Sequence, residues 1–265
     1  MTLHRRAAHA AHRHAHSPPL STRLACILGV LAIVLVLAAA ATTVQAAPLS
    51  AAAEKELWRS RQARVVNTTR RIWNSYERDA WGMDVYHPVS RNGTNLTQRG
   101  FGFTIVDALD TLHLLGLTTE FARAREYVRS NLTLYQPDGK PVSTFETTIR
   151  VLGGLLSAHY LTQNDTDARN GVFLQRAVEL GGQLAAAFDT PTGMPRSKAY
   201  LLSTFDHRAR ELRRTANDAV SSMAEVGSVQ LEFRYLSYLT GDPQFRRLAD
   251  NAYNAAQRVW SWDGL

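Results

Sequence analysis

The 265 residues contain a single cysteine, Cys26, so no intramolecular disulfide can form within this chain. No C-x-x-C pair and no histidine pair with metal spacing occurs, which argues against a zinc site. The five early histidines (His4, His9, His12, His14 and His16) read as a disordered tail rather than a metal-binding tract. Acid is missing from the first 23 residues, where Arg5, Arg6, Arg13 and Arg23 supply +4 of the formal net charge of +7. What remains is +3, with no Lys/Arg stripe interleaved with aromatics, and this speaks against nucleic acid as a partner. Period-2 apolar alternation is also missing, so no strand run stands out.

Charge is absent altogether from Leu24 through Ala53. Residues 24–44 are apolar apart from Thr42 and Thr43, long enough to span a bilayer. The basic flank lies on the N-terminal side, which implies a cytoplasmic tail over 1–23, a transmembrane signal anchor over 24–44 and a luminal remainder. The alternative is a signal peptide cleaved near residue 46, after Val44-Gln45-Ala46, and a secreted protein. Five N-x-[ST] sequons follow, at Asn67, Asn92, Asn95, Asn131 and Asn164, as expected of luminal glycosylation sites.

The 45% apolar content fits an ordinary globular core. Residues 48–56 read as an Ala-rich stem. Leu57, Trp58, Val65, Ile72, Trp73 and Tyr76 place one apolar stripe on a helix over about 55–78. Residues 81–102 hold Gly82, Pro88, Gly93, Gly100 and Gly102 and read as a long loop. Helices are expected at about 103–116, 119–134, 145–162, 170–187, 218–240 and 243–260. Leu117-Thr118, Leu161-Thr162 and Leu239-Thr240 each close an apolar helix that precedes a more charged one. This weak repeat suggests stacked αα-hairpins with an apolar inner ring and an amphipathic outer ring.

The most informative stretch is Ser143 to Ala158. Glu146 and Arg150 stand at the mouth of a helix with no ionised side chain between Val151 and Leu161, unless His159 is protonated. A helix apolar on every side is buried on every side. Ser143 and Glu146 have the S-x-x-E spacing of a capping box, and Glu146 and Arg150 have the spacing of an ordinary helix ion pair. Spacing alone favours these structural roles over catalysis.

Four blocks resemble the class I α-1,2-mannosidases, glycoside hydrolase family 47. They are Ala80-Trp81-Gly82-Met83-Asp84-Val85-Tyr86-His87-Pro88, Thr104 to Leu112, Phe145-Glu146-Thr147-Thr148-Ile149-Arg150 with Gly153-Gly154, and Ala224 to Ser237 with Leu239-Thr240-Gly241-Asp242. They occur in family order across about residues 57–265, the span expected to hold part of a mannosidase catalytic domain. In the first block Val85 stands where the family usually carries an acid. The family's catalytic domain is about twice as long as this stretch, so a fragment or a truncated gene product is expected, inactive alone.

The resemblance implies an all-α fold, the N-terminal half of an (α/α)7 barrel. It implies removal of α-1,2-linked mannose from high-mannose N-linked glycans by an inverting, calcium-dependent mechanism in the endoplasmic reticulum or Golgi. An inverting pair of carboxyl groups stands about 6.5–9.5 Å apart to admit a water. By resemblance Glu146 is the general acid, and Arg150 and Glu225 line the mannose subsite. Asp107, Asp110 and Glu232 are assigned structural roles. No residue present is assigned as a metal ligand; the calcium ligand is expected further along the family's domain. The alternative is a non-hydrolytic mannose-binding quality-control protein of the same fold.

Overall fold

The computed structural model describes Ser21, Leu28, Leu31, Ala32 and residues 49–136, 139–202 and 221–258. The chain divides into two compact units, residues 1–61 and 62–265. The tail over 1–23 and the anchor over 24–44 lie outside the described residues, except for those four positions. Among the described residues no helix is long and apolar enough to cross a membrane.

In the first unit, helix α1 (Ala51–Ala80) begins inside the stretch read as a stem. Ser50 starts it by accepting from Ala53 N through Oγ at 3.2 Å. Trp58 is exposed and carries the Arg61 guanidinium over its ring at 4.8 Å.

In the second unit, α1 buries Trp73, Tyr76 and Ala80, whereas Val65 and Ile72 are exposed. Of the expected stripe within this unit, Trp73 and Tyr76 therefore pack on the core and Val65 and Ile72 do not. The expected loop over 81–102 contains an antiparallel hairpin, β1 (Val85–His87) with β2 (Asn92–Thr94), in register Tyr86 to Gly93. Arg91 turns it in the left-handed region at φ 52°. The hairpin escapes the sequence because each strand is three residues long, too short to show alternation.

The helices follow nearly as expected. The first is split at Ala108 into α2 (Phe103–Asp107) and α3 (Leu109–Leu114). Then come α4 (Thr118–Ser130), β3 (Val142–Ser143) and α5 over residues 144–162. Next are α6 (Gly171–Leu184) and β4 (Lys198–Ala199), which pairs antiparallel with β3. The last helix pair begins with α7 (Met223–Ser228) and α8 (Gln230–Thr240), split at Val229, and ends with α9 (Pro243–Arg258).

Helices α3 and α4, α5 and α6, and α8 and α9 pack as αα-hairpins. The apolar first members also lie beside one another, with α5 against both α3 and α8. The second members α4 and α6 touch in their turn. This is the layering that the alternation of apolar and amphipathic helices implies. Val151, Leu152, Leu155, Leu109, Phe173 and Phe233 form its dry centre, all fully buried.

Candidate active site

The mouth of α5 is set by Ser143, whose Oγ accepts from Glu146 N at 3.2 Å. Only half of the capping box forms there. The Glu146 carboxylate turns down the helix instead, and its Oε2 accepts from Arg150 Nε at 2.5 Å. Between them the backbone is a π-helix, Thr147–Leu152, inserted in an otherwise α-helical rod. Such wide turns are frequent at functional sites.

Arg150 holds a second acid. Its Nη1 reaches Asp107 Oδ2, at the end of α2, at 3.3 Å. The hydrogen bond to Glu146 raises the basicity of Arg150, and the one to Asp107 adds to this. The three side chains are each close to half exposed. They line a cleft of 400 Å³ together with Asp84, Val85, Leu96, Phe103 and Thr104. Val85 thus sits on a wall of this cleft, where the resembled family carries an acid.

Asp84 builds the other wall. Its Oδ1 accepts from Phe101 N at 2.6 Å and Phe103 N at 3.1 Å, and its Oδ2 from Leu96 N at 2.9 Å. Asp84 thus holds the loop amides, whereas Asp107, expected in a structural role, is an ion-pair partner in the cleft. No local pattern points to either assignment, because their partners lie 12 to 43 residues away along the chain.

Asp107 also borders a second cavity of 360 Å³ with Asp110, Ser157, Tyr160, Glu232 and Tyr235. Asp110 Oδ2 accepts from Ser157 Oγ at 2.8 Å, a structural bond of the expected kind. Glu232 is buried, and its Oε2 has no hydrogen-bond partner. Burial pushes this carboxyl above the ordinary range.

Helix α7, which carries Glu225, packs against the first turn of α5, but no hydrogen bond joins Glu225 to the Glu146–Arg150 pair. Glu225 completes a capping box at the start of α7, with Oε2 accepting from Ser222 N at 2.9 Å and Ser222 Oγ at 3.1 Å. It lines neither cavity. The sequons Asn67, Asn92, Asn95, Asn131 and Asn164 are all exposed. Among the described residues no group of three or more His, Cys, Asp or Glu could hold a metal ion.

The layered αα-hairpins match a class of glycoside hydrolases. Residues 68–265 match the profile of Glycosyl hydrolase family 47, and the chain belongs to that family. It is 42% identical over 207 residues to the endoplasmic reticulum mannosyl-oligosaccharide 1,2-alpha-mannosidase of Schizosaccharomyces pombe, covering 77% of this chain and 37% of that protein. The human protein of that name is 40% identical over 190 residues, covering 72% of this chain and 25% of its own length. The solved alpha-1,2-mannosidase from Trichoderma reesei superposes with a TM-score of 0.63 at 30% identity, over 74% of this chain and 40% of that one. The chain therefore spans about a third of the length of the curated relatives it matches.

Proposed function

We propose that this chain forms part of an α-1,2-mannosidase that trims high-mannose N-linked glycans. The observation that carries the proposal is the Glu146–Arg150–Asp107 arrangement, placed in an open cleft inside the family match. Glu146 donates the proton to the leaving glycosidic oxygen, and Arg150 holds its carboxylate in place. Water attacks from the opposite face of the sugar, with inversion, and gives its proton to a second carboxylate that the whole enzyme would supply as general base. Glu225 contacts the sugar through Oε1, since both capping bonds fall on Oε2. The half-barrel fold and the membrane-anchored, luminal location belong to the same reading. Support for the compartment comes from relatives named for the endoplasmic reticulum. Calcium dependence is part of the proposal too, but the described residues do not form a site for the ion, and no step is derived through it.

The test is Glu146→Gln in the whole protein, assayed on an α-1,2-linked mannobiose. The amide keeps the shape and removes the transferable proton, so turnover falls by about 10²–10⁴-fold with an unchanged thermal midpoint. Near-normal turnover would overturn the assignment. Val85 favours one alternative, a mannose-binding protein of this fold, because it leaves a cleft wall without its acid. Mannobiose binding with no turnover in the unaltered protein would select that alternative.

A further inference from the structure

A second, wider groove of the second unit lies outside the cleft just described. It measures 870 Å³ and runs along the outer face of α4. That volume is within the range of ligand-holding clefts, about 300–1,000 Å³. Its walls are of three kinds. Trp81 and Tyr127 form an aromatic shelf, in edge contact at 5.7 Å between centroids. Trp81 is 38% exposed, unusual for an indole that also packs on Trp73. A set of guanidinium–carboxylate pairs forms the polar wall. The third wall is Asn131, the exposed residue that ends α4 and opens the sequon Asn131-Leu132-Thr133.

The polar wall decides what chemistry fits. Arg123 bonds Glu77 at 3.0 Å, Arg129 bonds Glu126 at 2.5 Å, and Arg169 bonds Asp167 at 2.7 Å. Arg125, almost buried, bonds Asp167 at 2.8 Å and Asn170 at 2.7 Å. Each guanidinium of the groove is paired, with Arg125 and Arg169 sharing Asp167, so four cations face three carboxylates and a phosphate or sulfate would find a single charge uncompensated. A neutral polyhydroxyl ligand does not depend on a free charge. Its hydroxyls donate to the spare carboxylate lone pairs and accept from the spare N–H groups. Its C–H faces carry partial positive charge and suit the negative face of an aromatic ring. An amphipathic sugar fits such a wall better than an ion does.

We propose that the groove is the seat of an N-linked glycan carried by Asn131 of this same chain. The first sugars of that glycan lie along Trp81 and the Arg123–Glu77 and Arg129–Glu126 pairs, and cover the outer face of α4. The attachment point is itself a groove wall, so the sugar is delivered at high effective concentration with no separate association step. This rests on the luminal location within the proposed function. The other four sequons do not border this groove.

The test uses the full chain expressed in eukaryotic cells, with glycopeptide mapping at all five asparagines. The folded protein is then digested with an N-glycosidase, and release is timed site by site. The expected result is an occupied Asn131 whose glycan is released about tenfold more slowly than the others, because its stem is accessible only when it leaves the groove. Denaturation should abolish the difference. Trp81→Ala should also abolish it. Thr119→Trp fills the groove from an exposed position, so it should do so without touching the Trp81 packing. Equal release rates in the folded protein would overturn the proposal, and so would a bare Asn131 beside glycosylated neighbours. Five bare asparagines would overturn the luminal reading and this proposal with it.

Discussion

Arg150 Nε donates to Glu146 Oε2 at 2.5 Å across one π-helical turn of α5, and so fixes the carboxylate at the mouth of the cleft. Both side chains are nearly half exposed, and an exposed ion pair contributes less than about 1 kcal/mol to stability. Its value is positional. Arg150→Ala should therefore leave the unfolding free energy within about 1 kcal/mol of the unaltered protein. Turnover of α-1,2-mannobiose by the whole enzyme should fall about 10²-fold, as expected when a reacting group loses its fixed geometry. Thermal melts and steady-state kinetics on one preparation separate the two effects. A large drop in melting temperature with kinetics intact would make the pair structural.

Asp84 makes the opposite prediction. Its carboxylate takes three loop amides at 2.6, 2.9 and 3.1 Å, and the residue is 4% exposed. Asp84→Ala strands all three donors beside the protein core. Each unsatisfied buried group costs about 1–3 kcal/mol, so the loss should be at least about 3 kcal/mol. Urea denaturation monitored by circular dichroism measures it. A loss below about 1 kcal/mol would show that water replaces the carboxylate at these amides.

Two adjacent glycines should behave differently. A Cβ on Gly154 would stand 2.6 Å from the Val106 carbonyl oxygen, a backbone atom that cannot turn aside. A Cβ on Gly153 would meet nothing nearer than Glu232 Oε1 at 3.5 Å, an ordinary contact. Gly154→Ala should cost about 1–3 kcal/mol by forcing α5 away from α2. Gly153→Ala should be neutral or stabilising by up to about 1 kcal/mol, the helix-propensity gain over glycine. Equal effects at the two positions would mean that α5 does not approach α2 this closely.

What the sequence reveals depends on how far apart the interacting residues lie. The helix order and the alternation of apolar and amphipathic members follow from local periodicity, and both appear in the fold. Glu146 at the mouth of α5 is marked by the Ser143 spacing and by the uncharged run after it. The partners that give Glu146 its setting carry no local mark. Asp107 is 43 residues from Arg150, and the amides held by Asp84 lie 12 to 19 residues on. The stripe on α1 misleads for a related reason. Periodicity shows which residues share a face, but not whether anything packs on it, and Ile72 is 63% exposed. Glu225 shows that one spacing can serve two roles. Its S-x-x-E pattern forms a complete capping box, whereas the same pattern at Glu146 forms half of one and leaves the carboxylate for Arg150.

Glu232 should make stability depend on pH with a sign opposite to that of the surface acids. It is 7% exposed, one of its oxygens has no partner, and burial raises its carboxyl above the ordinary value of 4.5. The folded chain therefore keeps this proton at pH values where the unfolded chain has lost it. Stability from this group is fully present below the unfolded pKa and falls as pH rises from there toward the folded pKa. Glu126 runs the other way. Its hydrogen bonds to Arg129 and then to Ser130 lower it to about 2, so its contribution is present above 4.5 and is lost as the pH falls toward the folded value. Glu232→Met replaces the acid by an apolar side chain of similar length and leaves Glu126 untouched. Subtracting one stability curve from the other isolates Glu232. The advantage of the variant over the unaltered protein should grow as the pH rises from about 4 toward neutrality, where the unfolded acid has lost its proton and the folded one keeps it at a cost. Urea unfolding at several pH values between about 4 and 8 provides the comparison. Parallel curves across that window would show that Glu232 does not change protonation there on folding.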